Sequence, residues 1–510
     1  MTKIHKTKLV LLSATAFFAA STARAQVADS WAITGDVTVT AANTADTTTV
    51  DPVNPGAVAG IDTALISAGF RNSISGSAVG SSASSSFTSV NNSGVGGAAA
   101  LTVDGTISVG AGNGSAVLNN TDVIGSAIIA DGSANSISLA AVGSSASVSG
   151  SATLSDVGGA ATAGETYAFS ANSLAVSSGS ADGDVEVDQG SLTGGNDNTV
   201  SLILATGFNA PAVTQGFGNS ISVAGVGSSA SASFSATVGG DGSSLDSFDL
   251  TLTDGAAISS TNSDNGTVAV GLTDAGIVTP QVNGGNGNSI SAAALGSSAS
   301  FSLNSSTYGG GVIGEFNATV GELTVDSTNG GNLVTLSSDG AAGTPTLISE
   351  AAIAGAGNGN SISASAVGSS ASVSYSNNVY DTGAGTAAGA VSFQAITVNS
   401  TNNGTIGNTV DLGTSGSIDG GSRNSISIAG VGASASQTFS VTDYSGAGLT
   451  GVASTAEGGI TLTAFNTGVV GVSGGLSNPS IADGFSNSIS AAAVGASASQ
   501  SVTRTLVGAQ

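Results

Sequence analysis

Asn219-Ser220-Ile221-Ser222, followed by Ala224 and then by Val226-Gly227-Ser228-Ser229-Ala230-Ser231, is the stretch that decides how this chain folds. Close copies recur at seven asparagines: Asn72, Asn135, Asn219, Asn288, Asn360, Asn424 and Asn487. Each lies three residues after a glycine, from Gly69 to Gly484, so the pattern reads G-x-x-N-S-I-S and then V-G-[SA]-S-A-S, with Leu295 replacing the valine once. Units that cannot bury a face alone bury it on their neighbours, and a repeat this regular therefore points to a stack.

Within the motif, Ile74, Ile137, Ile221, Ile290, Ile362, Ile426 and Ile489 stand two residues after the asparagine, each between two serines. That is the period-2 alternation of a half-buried strand. The parity then flips, because the recurrent alanine (Ala230 in the third copy) lies an odd number of residues further on. A one-residue change of face needs a corner or a bulge. Gly80, Gly143, Gly227, Gly296, Gly368, Gly432 and Gly495 separate the two halves, and are expected to take the positive φ of a corner.

Successive motif asparagines are 63, 84, 69, 72, 64 and 63 residues apart. Between them lie runs such as Leu323-Thr324-Val325-Asp326-Ser327 and Asn332-Leu333-Val334-Thr335-Leu336, bounded by Gly, Asn, Asp and Ser. Each unit of about 69 residues reads as several short β-branched strands joined by turns. The fold expected is all-β, an elongated β-solenoid of seven repeats. Like residues form ladders about 4.8 Å apart around a core of small side chains, and the turn asparagines pair their amides along the axis. With two or three coils per unit the stack would be a rod on the order of 100 Å long. A seven-bladed propeller fits less well, since its blades are about 40 to 50 residues and carry an aromatic signature.

Lys3, Lys6 and Lys8 precede the apolar run Leu9 to Ala20, and Ala23-Arg24-Ala25 gives a small-x-small site. Residues 1–25 are expected to be a cleaved secretory signal. Residues 26–51 form a lead-in whose Trp31 is expected to close the open end of the stack, and 52–510 form the repeat region. Beyond residue 25 there is no Lys, His, Met or Cys, and Arg71, Arg423 and Arg504 face 32 acidic residues, a formal charge of −29. Such a surface repels nucleic acid and anionic lipid, so neither is expected as a partner, and no disulfide or thiolate metal site is available.

The same composition speaks against an enzyme. Ser-His-Asp, Cys-His, Ser-Lys and Schiff-base chemistry each require a residue missing after position 25. No carboxylate recurs in the motif to supply a glycosidase pair. Asp182-Gly183-Asp184-Val185-Glu186-Val187-Asp188 is the one candidate calcium site, though a solvated strand face explains it more simply. The outward serines form the one surface feature with functional promise, a regular hydroxyl array suited to polysaccharide, ordered water or an identical array.

Gln215-Gly216-Phe217-Gly218-Asn219-Ser220 resembles one turn of the curlin repeat of bacterial curli amyloid, Q-x-G-x-G-N with a later Gln. A later Gln stands here at Gln437 and Gln500, whereas Gly285-Asn286-Gly287-Asn288 keeps the Gly and Asn without the first Gln. The V-G-S-S-A-S piece is similar to the β-roll heads of trimeric autotransporter adhesins. Together the resemblances imply an exported bacterial surface β-repeat protein. The expected function is a secreted structural or adhesive protein of a cell surface or biofilm matrix, with self-association or polysaccharide as partner. A self-assembling amyloid subunit and a polysaccharide- or ice-binding module are the alternatives.

Overall fold

The computed structural model describes residues 27–43, 61–92, 96–113, 124–155, 164–179, 200–204, 211–240, 242–262, 267–272, 280–330, 333–337, 351–355, 357–380, 385–409, 416–443, 452–473 and 479–506. Among them there is no helix, and every strand pairing is parallel. The signal, the Asp182–Asp188 run and residues 44–60 lie outside the described residues.

Four sheets run along one axis. The motif sheet has seven strands: Ser73–Asn91, Ser136–Leu154, Ser220–Gly239, Ser289–Tyr308, Ser361–Val379, Ser425–Asp443 and Ser488–Leu506. Each is preceded by a short strand of a lead sheet, from Ile61–Ile66 to Ser480–Ile481. The facing sheet begins with Val27–Ile33 and Val37–Asn43, both paired to Gly97–Asn113. It continues through Glu165–Gly179, Ser244–Asn262, Val312–Asn329 and Gly385–Asn402 to Val452–Ala456 and Ile460–Asn466. A flank sheet of short strands, Val200–Leu204 to Val470–Ser473, packs against the motif sheet.

The result is a β-solenoid with one coil per unit, which corrects the two or three coils expected. Ser220 pairs with Ser289 and Ile221 with Ile290, so the register advances by a whole unit from strand to strand. The stacking axis of the seven motif strands therefore covers only about 29 Å, while each strand of about 19 residues runs about 60 Å across it. Identical neighbours explain the choice, because only a one-unit step puts asparagine on asparagine, serine on serine and alanine on alanine. The several short strands expected are two long ones and two short ones.

The internal glycine is likewise not a corner. None of Gly80, Gly143, Gly227, Gly296, Gly368, Gly432 or Gly495 takes a positive φ. The strand runs straight through it, and two consecutive residues, as at Gly296-Ser297, turn inward. Ile290, Ala292 and Ala294 are buried before this bulge and Ala299, Phe301 and Leu303 after it. Glycine is needed there for space, since a Cβ on Gly432 would collide with the Asn466 side chain and the backbone of Gly495.

The expectation of a small-residue core fits the motif isoleucines and alanines but not the middle of the interior. There, between the second half of the motif sheet and the facing sheet, aromatic rings form a continuous column. Tyr167 stacks on Phe248 at 4.9 Å and Phe248 on Phe316 at 4.8 Å, with planes within 6° of parallel. Phe234, Phe301 and Phe393 continue the column. A total of 21 aromatics is small for 510 residues, but in-register stacking gathers eleven of them into one layer. Trp31, on the first facing strand, is half exposed and meets Phe87 edge to face at 5.5 Å.

Candidate functional site

The turn ahead of six of the motif strands is built from two left-handed residues. The first is the glycine three before the asparagine, with φ from 69° to 123° at Gly69, Gly132, Gly216, Gly285, Gly421 and Gly484. The second directly precedes the asparagine and is Arg71, Ala134, Gly218, Gly287, Gly359, Arg423 or Ser486, all with φ between 55° and 69°. This backbone carries the asparagine inward, and Asn135, Asn219, Asn288, Asn360 and Asn424 are fully buried.

The buried amides do not pair with each other, as the sequence suggested; they pair with backbone. Asn219 Oδ1 accepts from the Asn135 N–H of the preceding coil at 3.0 Å, and Asn288 Oδ1 from Asn219 N–H at 2.9 Å. The chain of such bonds is continuous from Asn72 to Asn487. From Asn135 onward each Nδ2 also donates to a turn carbonyl one coil earlier, as Asn219 does to Gly132 at 3.0 Å. The five asparagines from Asn135 to Asn424 thus each tie their own coil to the coils before and after it.

A second ladder, absent from the motif reading, does pair amides. Asn262 Nδ2 donates to Asn329 Oδ1 at 2.9 Å, Asn329 to Asn402 at 2.7 Å and Asn402 to Asn466 at 2.6 Å. Its sequence signal is the tripeptide Ser-Thr-Asn at 260–262, 327–329 and 400–402. The serine of that tripeptide reaches across the interior. Ser228 and Ser260 hydroxyls meet at 2.7 Å, as do Ser297 and Ser327, with Ser369 and Ser400 at 2.6 Å and Ser144 and Ser178 at 2.8 Å. These bonds clip the two large sheets together at the bulge.

The outer face of the motif sheet is an extended chemical surface that the repeat generates among the described residues. Rows beginning at Ser73, Ser75, Ser82 and Ser84 remain serine through all seven strands to Ser488, Ser490, Ser497 and Ser499. A fifth row from Ser86 changes only at Thr438. Members such as Ser291, Ser300 and Ser372 are partly buried and partly open to solvent. The hydroxyls repeat about 4.8 Å along the axis and about 6.7 Å along each strand.

The titratable groups with shifted pKa belong to the interior and the facing sheet. Burial pushes the Tyr375 hydroxyl up to about 12 and raises that of Tyr167 further. Burial also raises the Asp326 carboxyl, against a 2.8 Å hydrogen bond from Asn399 that partly offsets it. Among the described residues no three His, Cys, Asp or Glu side chains converge as metal ligands, and no helix is long and apolar enough to cross a membrane. Comparison with family models, curated proteins and solved structures gives no match.

Proposed function

We propose that this chain is a secreted, non-enzymatic structural or adhesive protein of a bacterial cell surface or biofilm matrix, working through the serine-covered face of the motif sheet. The observation that carries this reading is the set of five in-register hydroxyl rows. Such a lattice offers donors and acceptors at fixed repeats to a long polar partner, and a polysaccharide chain is the partner chemistry that matches it best. The shortage of basic groups, with only three arginines after residue 25, agrees with a neutral glycan rather than an anionic one.

The test is binding to a panel of insoluble and arrayed polysaccharides, with ice recrystallisation assayed alongside. Ser300 and Ser372 are neighbours in register on adjacent strands. A Ser300→Lys/Ser372→Glu variant interrupts the array with opposite charges that do not repel each other. Loss of binding with an unchanged strand circular dichroism spectrum supports the reading. Equal glycan binding by wild type and variant, or none by wild type, overturns it.

A further inference from the structure

The two ends of this solenoid are cut differently. At the N-terminal end the facing sheet runs one half-coil beyond the motif sheet, because Val27–Ile33 and Val37–Asn43 pair onto Gly97–Asn113 while Ser73–Asn91 is already the outermost motif strand. At the C-terminal end the motif sheet runs one half-coil beyond the facing sheet. Ser488–Leu506 pairs with Ser425–Asp443, and among the described residues no facing strand lies beyond Ile460–Asn466.

We propose that these ends bind a second copy of this chain. In this arrangement Ser488–Leu506 of one copy and residues 27–43 of the next close a single shared coil, and the solenoid continues as a head-to-tail filament. Edge strands with open backbone groups are templates for such addition, and a heterologous contact that does not close on itself propagates. The inference concerns the ends of the stack and does not rest on what the serine face binds.

Carrying the observed register across the junction leaves like on like. In the motif sheet Ile489 would lie on Ile74, Val494 on Val79 and Val502 on Phe87. In the facing sheet Ile460 would meet Val37, and Leu462 would meet Val39. In the lead sheet Ile481 would meet Ile66. The asparagine ladder continues too: Asn487 N–H would donate to Asn72 Oδ1 of the next copy, as Asn424 N–H does to Asn487 Oδ1.

Three further features of the ends fit. The first is the site of the interior serine clip, where the sixth coil carries alanine on both sides, Ala433 and Ala464. The shared coil would again match alanine with alanine, Ala496 from one copy and Ala41 from the next. The second is charge. Arg504 follows the inward-facing Val502 by two residues, and Asp29 lies in the row of Tyr167, whose hydroxyl bonds the Phe87 carbonyl in the Val502 row. The junction thus sets Asp29 of one copy beside Arg504 of the other.

The third is exposure. Of fourteen exposed large hydrophobic side chains among the described residues, eleven lie on the end coils, led by Val502 at 76% and Phe485 at 71%. Phe485 and the exposed Phe70 occupy the same row of the turns and would become neighbours.

The experiment is light scattering and negative-stain electron microscopy of the purified protein over a concentration series. Filaments with a subunit repeat of about 34 Å along the axis are expected, seven coils of about 4.8 Å. Ala41→Lys blocks one end and Ala496→Lys the other. Each variant alone should stay monomeric, and an equimolar mixture should stop at dimers, because it offers one good junction per pair. A second pair guards against misfolding: Arg504→Glu should weaken assembly by at least about tenfold, and Asp29→Arg/Arg504→Glu should regain it. A wild type that stays monomeric at every concentration, filaments indifferent to both lysines, or dimers of either lysine variant alone would overturn the proposal.

Discussion

Ser81 Oγ lies buried across from Ala111 with no hydrogen-bond partner. In the next four coils the same two positions are serines in mutual contact, beginning with Ser144 and Ser178. A buried hydroxyl left unbonded costs about 1–3 kcal/mol. Ser81→Ala and Ala111→Ser should therefore each stabilise by about 1 kcal/mol. The double variant, which recreates the mismatch with its sides exchanged, should return to the wild-type midpoint in denaturant unfolding.

The asparagine ladder predicts a gradient. Asn288→Ala removes an acceptor from Asn219 N–H and a donor to the Gly216 and Gly284 carbonyls, all in the interior of the stack. A loss of about 3 kcal/mol is expected from the groups left unsatisfied. Asn487 makes the same bonds on the last coil, where water can take the place of a lost amide. Asn487→Ala should cost the monomer about 1 kcal/mol, so equal losses at the two sites would show that the ladder is not what holds the coils.

Ala134 holds φ at 55°, where three of the seven copies have glycine. A non-glycine residue in the left-handed region costs about 1–2 kcal/mol. Ala134→Gly should raise the melting temperature, whereas Ala134→Val should lower it, because β-branching makes that region still less accessible. Calorimetry on the two variants checks the sign.

Gln437 is fully buried, and neither its amide oxygen nor its nitrogen finds a partner. The residue at this position one coil earlier is Val373. Gln437→Val should stabilise by about 2 kcal/mol, since it removes two unsatisfied polar groups and keeps an apolar side chain that the row already accommodates. A destabilised variant in chemical denaturation would mean that the amide is bonded in solution.

The raised Asp326 pKa gives a pH dependence of definite sign. A carboxyl whose folded pKa lies above its unfolded value binds its proton more readily in the folded state. Its contribution therefore increases as pH falls through the folded pKa towards the unfolded one, and is lost as pH rises again. Wild type should gain stability between pH 7 and pH 4, and Asp326→Asn should gain less over the same interval. Parallel stability curves for the two proteins would locate the effect elsewhere.

The extent of foresight differs from residue to residue. Ile221 and Ile290, each between serines, stated their inward direction through alternation alone. Ala230, an odd number of residues on, announced that the face must change. Gly227 could not say how, since a corner and an in-strand bulge leave the same spacing. Asn262 and its ladder are marked only by the tripeptide Ser-Thr-Asn at 260–262, 327–329 and 400–402, which recurs in three units and lies outside the seven-fold motif.

Sequence by itself determined that this chain is an all-β stack in which each motif lies on its copies, because alternation and repetition are local properties that any observer of the chain can count. Only the tertiary structure decided that a unit makes one wide coil instead of two or three narrow ones, that the rings of Tyr167, Phe248 and Phe316 share a column, and that the two ends expose opposite halves of a coil. Those outcomes depend on which distant strands meet and in what register, and register is chosen by the summed pairing of all coils at once.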